Sequence, residues 1–185
     1  NGKLKVIVDH NKIQSDTFVD KVSDLGDLEL KFTAFGFECR RCDGHDIDAF
    51  ANALERPTSD GRPLAIIADT IKGRGVSFME HTAMSEGQEY YQYHSGAPSF
   101  EDYVKASNEL IKDINSRCEI ARLSGPSIKS VSFDPIIMSK SSRKMIPHYS
   151  DALISQAKKN KKLVALDADL VLDTGLIPFK KSFEE

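Results

Sequence analysis

The sequence contains no tryptophan, only three cysteines, and no apolar run near the ~20 residues that a membrane span requires. Cys39, Cys42 and Cys118 are too few for a disulfide framework and suit a reducing, cytoplasmic setting. Cys39-Arg40-Arg41-Cys42 spells C-x-x-C, but a zinc site needs a second pair, and none exists. If residues 37–42 form a strand, the two thiols leave opposite faces. An excess of one charge is also lacking: 25 basic residues face 28 acidic ones, for a net charge of −3. No field gathers nucleic acid or an anionic membrane, and neither is expected as a partner. The one basic cluster, Lys158-Lys159-Asn160-Lys161-Lys162, follows a helical pattern and suits a solvated helix C-terminus. Repeats and a signal-peptide pattern are absent too. The chain opens on Asn1 without an initiator methionine and closes on Phe179-Lys180-Lys181-Ser182-Phe183-Glu184-Glu185, so both ends read as cut.

What is present fits a globular α/β protein. Apolar residues make up 40% of the 185 and charged residues 29%, enough for one buried core and part of another. Leu4-Lys5-Val6-Ile7-Val8 reads as a strand opening into the loop Asp9-His10-Asn11. Leu25, Leu28, Phe32 and Phe35 stripe a helix that Gly36 stops, and residues 37–42 return as a strand turned by Asp43-Gly44. Ile47, Phe50, Ala51 and Leu54 stripe a second helix with Asp46 as its N-cap. Leu64-Ala65-Ile66-Ile67-Ala68 is a continuous apolar strand of the kind that parallel sheets bury on both faces. This alternation predicts a doubly wound, mainly parallel sheet whose ligands sit beyond the carboxyl ends of its strands. A long amphipathic helix is expected over about 99–123. Residues 124–142, rich in Ser, Pro and Lys, read as an interdomain linker between a domain at 1–123 and the start of a second, similar one at 143–185. In that second part a helix is expected over about 149–159, then a strand at Leu163-Val164-Ala165-Leu166.

Four loops carry groups capable of chemistry. Asp9-His10-Asn11-Lys12-Ile13-Gln14 offers an amide oxygen and a main-chain carbonyl two residues apart, a compact source of hard ligands for a divalent ion or simply a turn. Asp69-Thr70-Ile71-Lys72-Gly73-Arg74-Gly75 could let backbone, Lys72 or Arg74 approach an anion, or could be a plain glycine turn. Tyr93-His94-Ser95-Gly96-Ala97-Pro98 sets a titratable imidazole in a small-residue loop, whereas His81 and His148 read as surface residues. Asp167-Ala168-Asp169 could serve a metal or could cap the next helix.

Taken in order, D-H-N-K-I-Q, A-F-G-F, D-G-H-D, T-I-K-G-R-G-V-S-F-M-E, H-S-G-A-P and L-D-A-D-L resemble the thiamine-diphosphate-dependent transketolases along nearly the whole chain except the linker. The resemblance implies the later part of the diphosphate-binding domain followed by the opening of the pyrimidine-binding domain. It implies transfer of a two-carbon ketol unit from a ketose donor to an aldose acceptor, with sugars or sugar phosphates as substrates. Thiamine diphosphate and Mg2+ (or Ca2+ or Mn2+) are the implied cofactors, and a homodimer the implied complete enzyme. By resemblance, Asn11 gives a side-chain oxygen and Ile13 a main-chain carbonyl to the ion. Lys72 lies near the diphosphate, His94 near the diphosphate and the donor, where it acts catalytically, and Asp169 near the thiazolium ring. Two departures stand out: Ser95 is interposed in the His-Gly loop, and Val171-Leu172-Asp173-Thr174 stands where the family often has T-P-S-N, putting an acid where a phosphate would be repelled. The family's G-D-G aspartate and pyrimidine-activating glutamate have no counterpart between Asn1 and Glu185, so this chain alone is expected to be inactive. Deoxyxylulose-phosphate synthase, another thiamine enzyme, or a non-catalytic α/β fragment are the alternatives.

Overall fold

The structure, a computed structural model, describes residues 4–129 and 144–183. The chain divides into two compact units, Asn1–His94 and Ser95–Glu185. Much of the proposed linker, residues 130–142, lies outside the described residues.

The first unit is built on a parallel sheet of three strands, β1 (Lys5–His10), β4 (Glu38–Asp43) and β5 (Leu64–Asp69), in the spatial order β1-β5-β4. The most apolar strand takes the middle. Leu64, Ala65, Ile66 and Ile67 of β5 are at most 1% exposed, so both of its faces are covered, as its unbroken apolar run predicts. At the edge, Ile7 of β1 remains 52% exposed. The register pairs His10 with Asp69 on one side of β5 and Asp43 with Asp69 on the other. All three strands therefore end at the same level, and their following loops leave one edge together.

Between β1 and β4 lie a two-residue hairpin, β2 (Ile13–Gln14) with β3 (Thr17–Phe18), and helices α1 (Val19–Ser23) and α2 (Leu28–Ala34). The hairpin and α1 are too short to leave a readable period in the sequence. α2 begins at Leu28 and not at Leu25 because Asp27 is its N-cap, accepting from the Leu30 amide at 2.9 Å, and Gly26 turns the chain at φ +56° just before it. Gly36, at φ +85°, ends the helical stretch as anticipated. α3 (Ile47–Glu55) starts at its expected cap, with the Asp46 carboxylate accepting from the Ala49 amide at 2.9 Å.

Arg40 of β4 stitches α3 to the sheet. Its guanidinium is buried, donates to Glu38, and reaches three carbonyls at the helix end: Ala53 in the last turn, then Arg56 at 2.7 Å and Pro57 at 2.9 Å just beyond it. Cys39 and Cys42, three residues apart on β4, are free thiols, and burial pushes both up from the usual thiol range.

In the second unit, α4 (Phe100–Ile120) is capped by Ser99, whose hydroxyl accepts from the Asp102 amide at 3.0 Å. α5 runs over Met145–Lys159, starting four residues before the expected Tyr149. Pro147 is accommodated because it falls in the first turn, where no intrahelical N–H is needed. The strand expected at Leu163–Leu166 does not form: the stretch is irregular, with Val164 and Leu166 75% and 90% exposed. A strand takes its hydrogen bonds from a neighbour, and the described residues of this unit include no other strand. Two short helices follow, α6 (Val171–Thr174) and α7 (Ile177–Ser182), and α7 packs on α5. No helix among the described residues is long and apolar enough to cross a membrane.

Candidate functional site

The three strand ends of the first unit converge on Asp69. Arg41, at the end of β4, donates to its carboxylate through Nε (2.6 Å) and Nη2 (2.9 Å). Lys12, from the loop after β1, donates through Nζ at 2.6 Å. The His10 ring closes the group, with Nδ1 2.9 Å from the Asp69 carboxylate and 2.6 Å from Lys12 Nζ. Nδ1 cannot accept from Lys12 and donate to Asp69 at once, so one of these is a hydrogen bond and the other a packed contact. The Arg41 bonds, followed by those of Lys12 and His10, hold the Asp69 carboxyl well below the usual carboxylate range despite partial burial. One residue on, the Thr70 hydroxyl donates to the Asp9 carboxylate.

Beside this group lies the loop holding Asn11 and Ile13. The Asn11 side-chain oxygen accepts from the Ile13 amide at 3.0 Å, which draws amide oxygen and Ile13 backbone together. Lys12 between them has φ +70°, in the left-handed region that residues with a Cβ seldom occupy. The Lys12 carbonyl accepts from the Val19 amide at 2.9 Å, and Ile13 itself is buried.

Histidines clasp the loop after β5. His45 Nε2 accepts from the Ile71 amide at 2.7 Å. His81 Nδ1 accepts from the Lys72 amide at 3.1 Å, and the His81 amide donates back to the Lys72 carbonyl at 2.9 Å. Lys72 Nζ is 3.0 Å from His94 Nδ1 and 5.4 Å from the centre of the Tyr91 ring. An ammonium only donates, so in this hydrogen bond Nδ1 of His94 is the acceptor, the tautomer that puts the ring N–H on Nε2. Burial pushes the Lys72 ammonium down from its ordinary value, while the nearby carboxylates of Asp9 and Asp16 oppose that shift.

These contacts revise the reading of the glycine loop. Besides the amides held by His45 and His81, those of Arg74 and Val76 bond to the carbonyls of Ile71 and Gly73, and that of Gly75 to the Glu80 carboxylate. Arg74 also pairs with Glu80 at 3.7 Å. Gly73 is required by the chain's own path: at φ +82°, a Cβ there would stand 2.0 Å from the Met79 carbonyl oxygen. The group that this loop offers a ligand is the Lys72 amine, not a ring of free amides. His81 is likewise no surface residue. It is buried, with its pKa pushed down by burial, and it fixes the Lys72 backbone. The sequence signal that could have found it is its place in T-I-K-G-R-G-V-S-F-M-E-H, just far enough from Lys72 for the chain to double back.

Of the residues singled out in the sequence, Lys72 and His94 are brought into contact, and Asn11 and Ile13 share one turn at the same sheet edge. Asp169 belongs to the second unit. There its neighbour Asp167 does the capping, accepting from the Leu170 amide at 2.7 Å and from the Thr174 hydroxyl at 2.9 Å. Also in that unit, the two departures from the expected motifs meet, with Ser95 donating to the Asp173 carboxylate at 2.7 Å. No cluster of three or more His, Cys, Asp or Glu side chains suited to a metal occurs among the described residues. A cation at this edge would instead take the amide and carbonyl oxygens of Asn11 and Ile13.

No protein-family model matches the sequence. Individual relatives do. Over 78 residues, 42% of this chain and 28% of the relative, it is 38% identical to the 6-deoxy-6-sulfo-D-fructose transketolase subunit SqwG of Clostridium sp. (strain MSTE9). Over 77 residues, again 42% of the chain and 28% of the relative, it is 39% identical to an apulose-4-phosphate transketolase subunit of Actinobacillus succinogenes. Transketolase-like protein 2 of Mus musculus aligns over 170 residues at 26% identity, covering 85% of this chain and 25% of that protein. The chain thus spans about a quarter of the length of these relatives. Proteins from bacteria and from a mammal, some of them named as transketolases and some as transketolase subunits, are similar to stretches of this chain, and the parallel α/β sheet agrees with them: the matches support a fragment of the transketolase family.

Proposed function

We propose that the full-length protein is a transferase that moves a two-carbon ketol unit from a ketose to an aldose, using thiamine diphosphate and a divalent ion, Mg2+ by preference. The observation that carries this reading is the common edge: β1 and β5 end in register, so the Asn11–Ile13 turn and the Lys72 loop leave the sheet side by side, with His94 held on Lys72. The donor set fits the group. Mg2+ prefers hard oxygens and keeps several waters, and Asn11 and Ile13 supply two such oxygens and no competing thiolate. Lys72 supplies a charged donor for a diphosphate oxygen, and His94, with its proton on Nε2, a second donor for the diphosphate or the donor sugar.

When bound, the thiazolium supplies a carbanion-stabilising electron sink. The roles left to this chain are orientation and proton handling: Asn11 and Ile13 hold the ion, Lys72 holds the diphosphate and the His94 tautomer, and Asp169 lines the thiazolium side. The substrates are sugars or sugar phosphates. The complete enzyme is a homodimer working in the cytoplasm. The names of two relatives contain a sulfonated and a phosphorylated sugar, whereas Asp173, standing where the family often has a serine, would repel such an anionic end, so the anionic group of those sugars is not carried over to this protein.

The test is calorimetric titration of thiamine diphosphate into the full-length protein at fixed Mg2+. Asn11→Ala removes one of about six oxygen ligands and should raise the dissociation constant several-fold. An unchanged constant would reduce Asn11 to a turn residue and reject the metal assignment.

A further inference from the structure

Lys12 sits between the two oxygens assigned to the ion, so its torsions fix the angle at which Asn11 and Ile13 face each other. Those torsions are unusual: a lysine at φ +70° is in a region that its Cβ disfavours, and a free loop would leave it. Two contacts oppose that relaxation. The Lys12 carbonyl is held by the Val19 amide, and its ammonium is held by Asp69 at 2.6 Å. Asp69 is in turn fixed by two bonds from Arg41 on the opposite neighbouring strand, so it is a rigid anchor. There is also an electrostatic reason for a carboxylate here. An ammonium next to a divalent cation repels it, and Asp69 offsets that charge without occupying a ligand position. The side chains of Asp69, Lys12 and Arg41 are 35–42% exposed, so this group is not core packing.

We propose that Asp69 is a positioning residue for the divalent-ion turn, acting through Lys12 to hold Asn11 and Ile13 in their paired orientation. The inference rests on the reading of Asn11 and Ile13 as ion ligands. Its consequence is that cation affinity depends on a carboxylate on the neighbouring strand that never touches the ion.

The experiment measures the Mg2+ concentration needed for half-maximal thiamine diphosphate binding, by calorimetry on the full-length protein. The variants are Asp69→Ala, Lys12→Met, both together, Asn11→Ala, and Ile66→Val, a mild destabilisation of the buried centre of β5. The expected result is a rise of about five- to tenfold for each single change at Asp69 or Lys12, with the double variant no worse than the poorer single one, as for two residues acting as one unit. Ile66→Val should leave the Mg2+ requirement unchanged. Losses that multiply in the double variant would overturn the inference. So would a rise in Ile66→Val matching that of Asp69→Ala, which would mark the effect as general instability. If Asn11→Ala weakens Mg2+-dependent binding while Asp69→Ala does not, the positioning role is rejected and the metal assignment survives. If Asn11→Ala has no effect, the metal assignment itself fails, and the inference with it.

Discussion

Replacing Arg40 by methionine should destabilise the first unit far more than an ordinary charge deletion. The guanidinium is buried, and the change strips the carbonyls of Ala53, Arg56 and Pro57 of a charged donor just where α3 ends and has no amides left to satisfy them. Hydrogen bonds to charged groups contribute roughly 1.5–3 kcal/mol each. Arg56 and Pro57 are at the surface, so water recovers part of theirs, and the sum comes to about 2–4 kcal/mol. Glu38 keeps the Ser59 amide at 2.7 Å and can rehydrate, so it adds nothing to that sum. Methionine fills much of the arginine stem's volume, which isolates the polar loss from a cavity. With a urea m-value of about 1.5 kcal/mol/M for a unit of this size, the midpoint should fall by roughly 1.3–2.7 M. The assay is urea unfolding of the full-length protein read by hydrogen exchange of peptides covering β4 and β5, which reports this unit and no other. A fall under about 0.3 M, the size of an ordinary surface substitution, would refute the idea that Arg40 holds the helix end to the sheet.

Two further outcomes are expected. His94→Ala in the full-length enzyme should lower the donor-cleavage rate at least about tenfold, since a positioned acid–base group contributes ~100- to 10,000-fold and water replaces part of it. His148→Ala, at an exposed site on α5, should change that rate less than about twofold, and equal losses at both sites in a rapid-quench assay would point to destabilisation instead. Asp69, whose carboxyl is held low mainly by Arg41, binds fewer protons folded than unfolded at acid pH. Its stabilising effect is therefore complete above the unfolded value of about 4 and is lost as pH falls below it. Unfolding free energy measured from pH 6 down to pH 2.5 should drop less steeply in Asp69→Asn than in the parent; parallel curves would show that the carboxylate carries no such linkage.

The sheet was legible in the sequence because its strands carry strong patterns: an unbroken apolar run for β5, capping aspartate and apolar stripe for α3. Asn11, Ile13, Lys72 and His94 were legible as motif positions, while their mutual distances were not. What the sequence concealed were roles set by contacts between distant segments. The place of His81 in T-I-K-G-R-G-V-S-F-M-E-H allows a return to Lys72 but does not fix its imidazole on the Lys72 amide, and nothing near Arg40 announces three carbonyls at the end of α3. The Gly73 motif left an anion cradle and a plain glycine turn both open, and the glycine answers to Met79. The missed strand at 163–166 has the opposite cause. Its apolar pattern was real, but a strand is a property of a pair, and local pattern cannot say whether a neighbour is there.

The aligned ends of β1 and β5 also govern when the site can come into being during folding. His10 and Asp69 are 59 residues apart in sequence, and every contact that ties Lys12 to Asp69 waits for that long loop to close. Closing such a loop costs entropy before any contact repays it, so parallel pairing of this kind is among the slow events of folding. Helix α4, whose hydrogen bonds span four residues, is under no such constraint. A slip of β1 by one residue against β5 would carry His10 to the opposite face of the sheet and leave Lys12 without its carboxylate. The Asn11–Ile13 turn, the Lys72 loop and the Asp69 group therefore come together only once β1 is in register on β5.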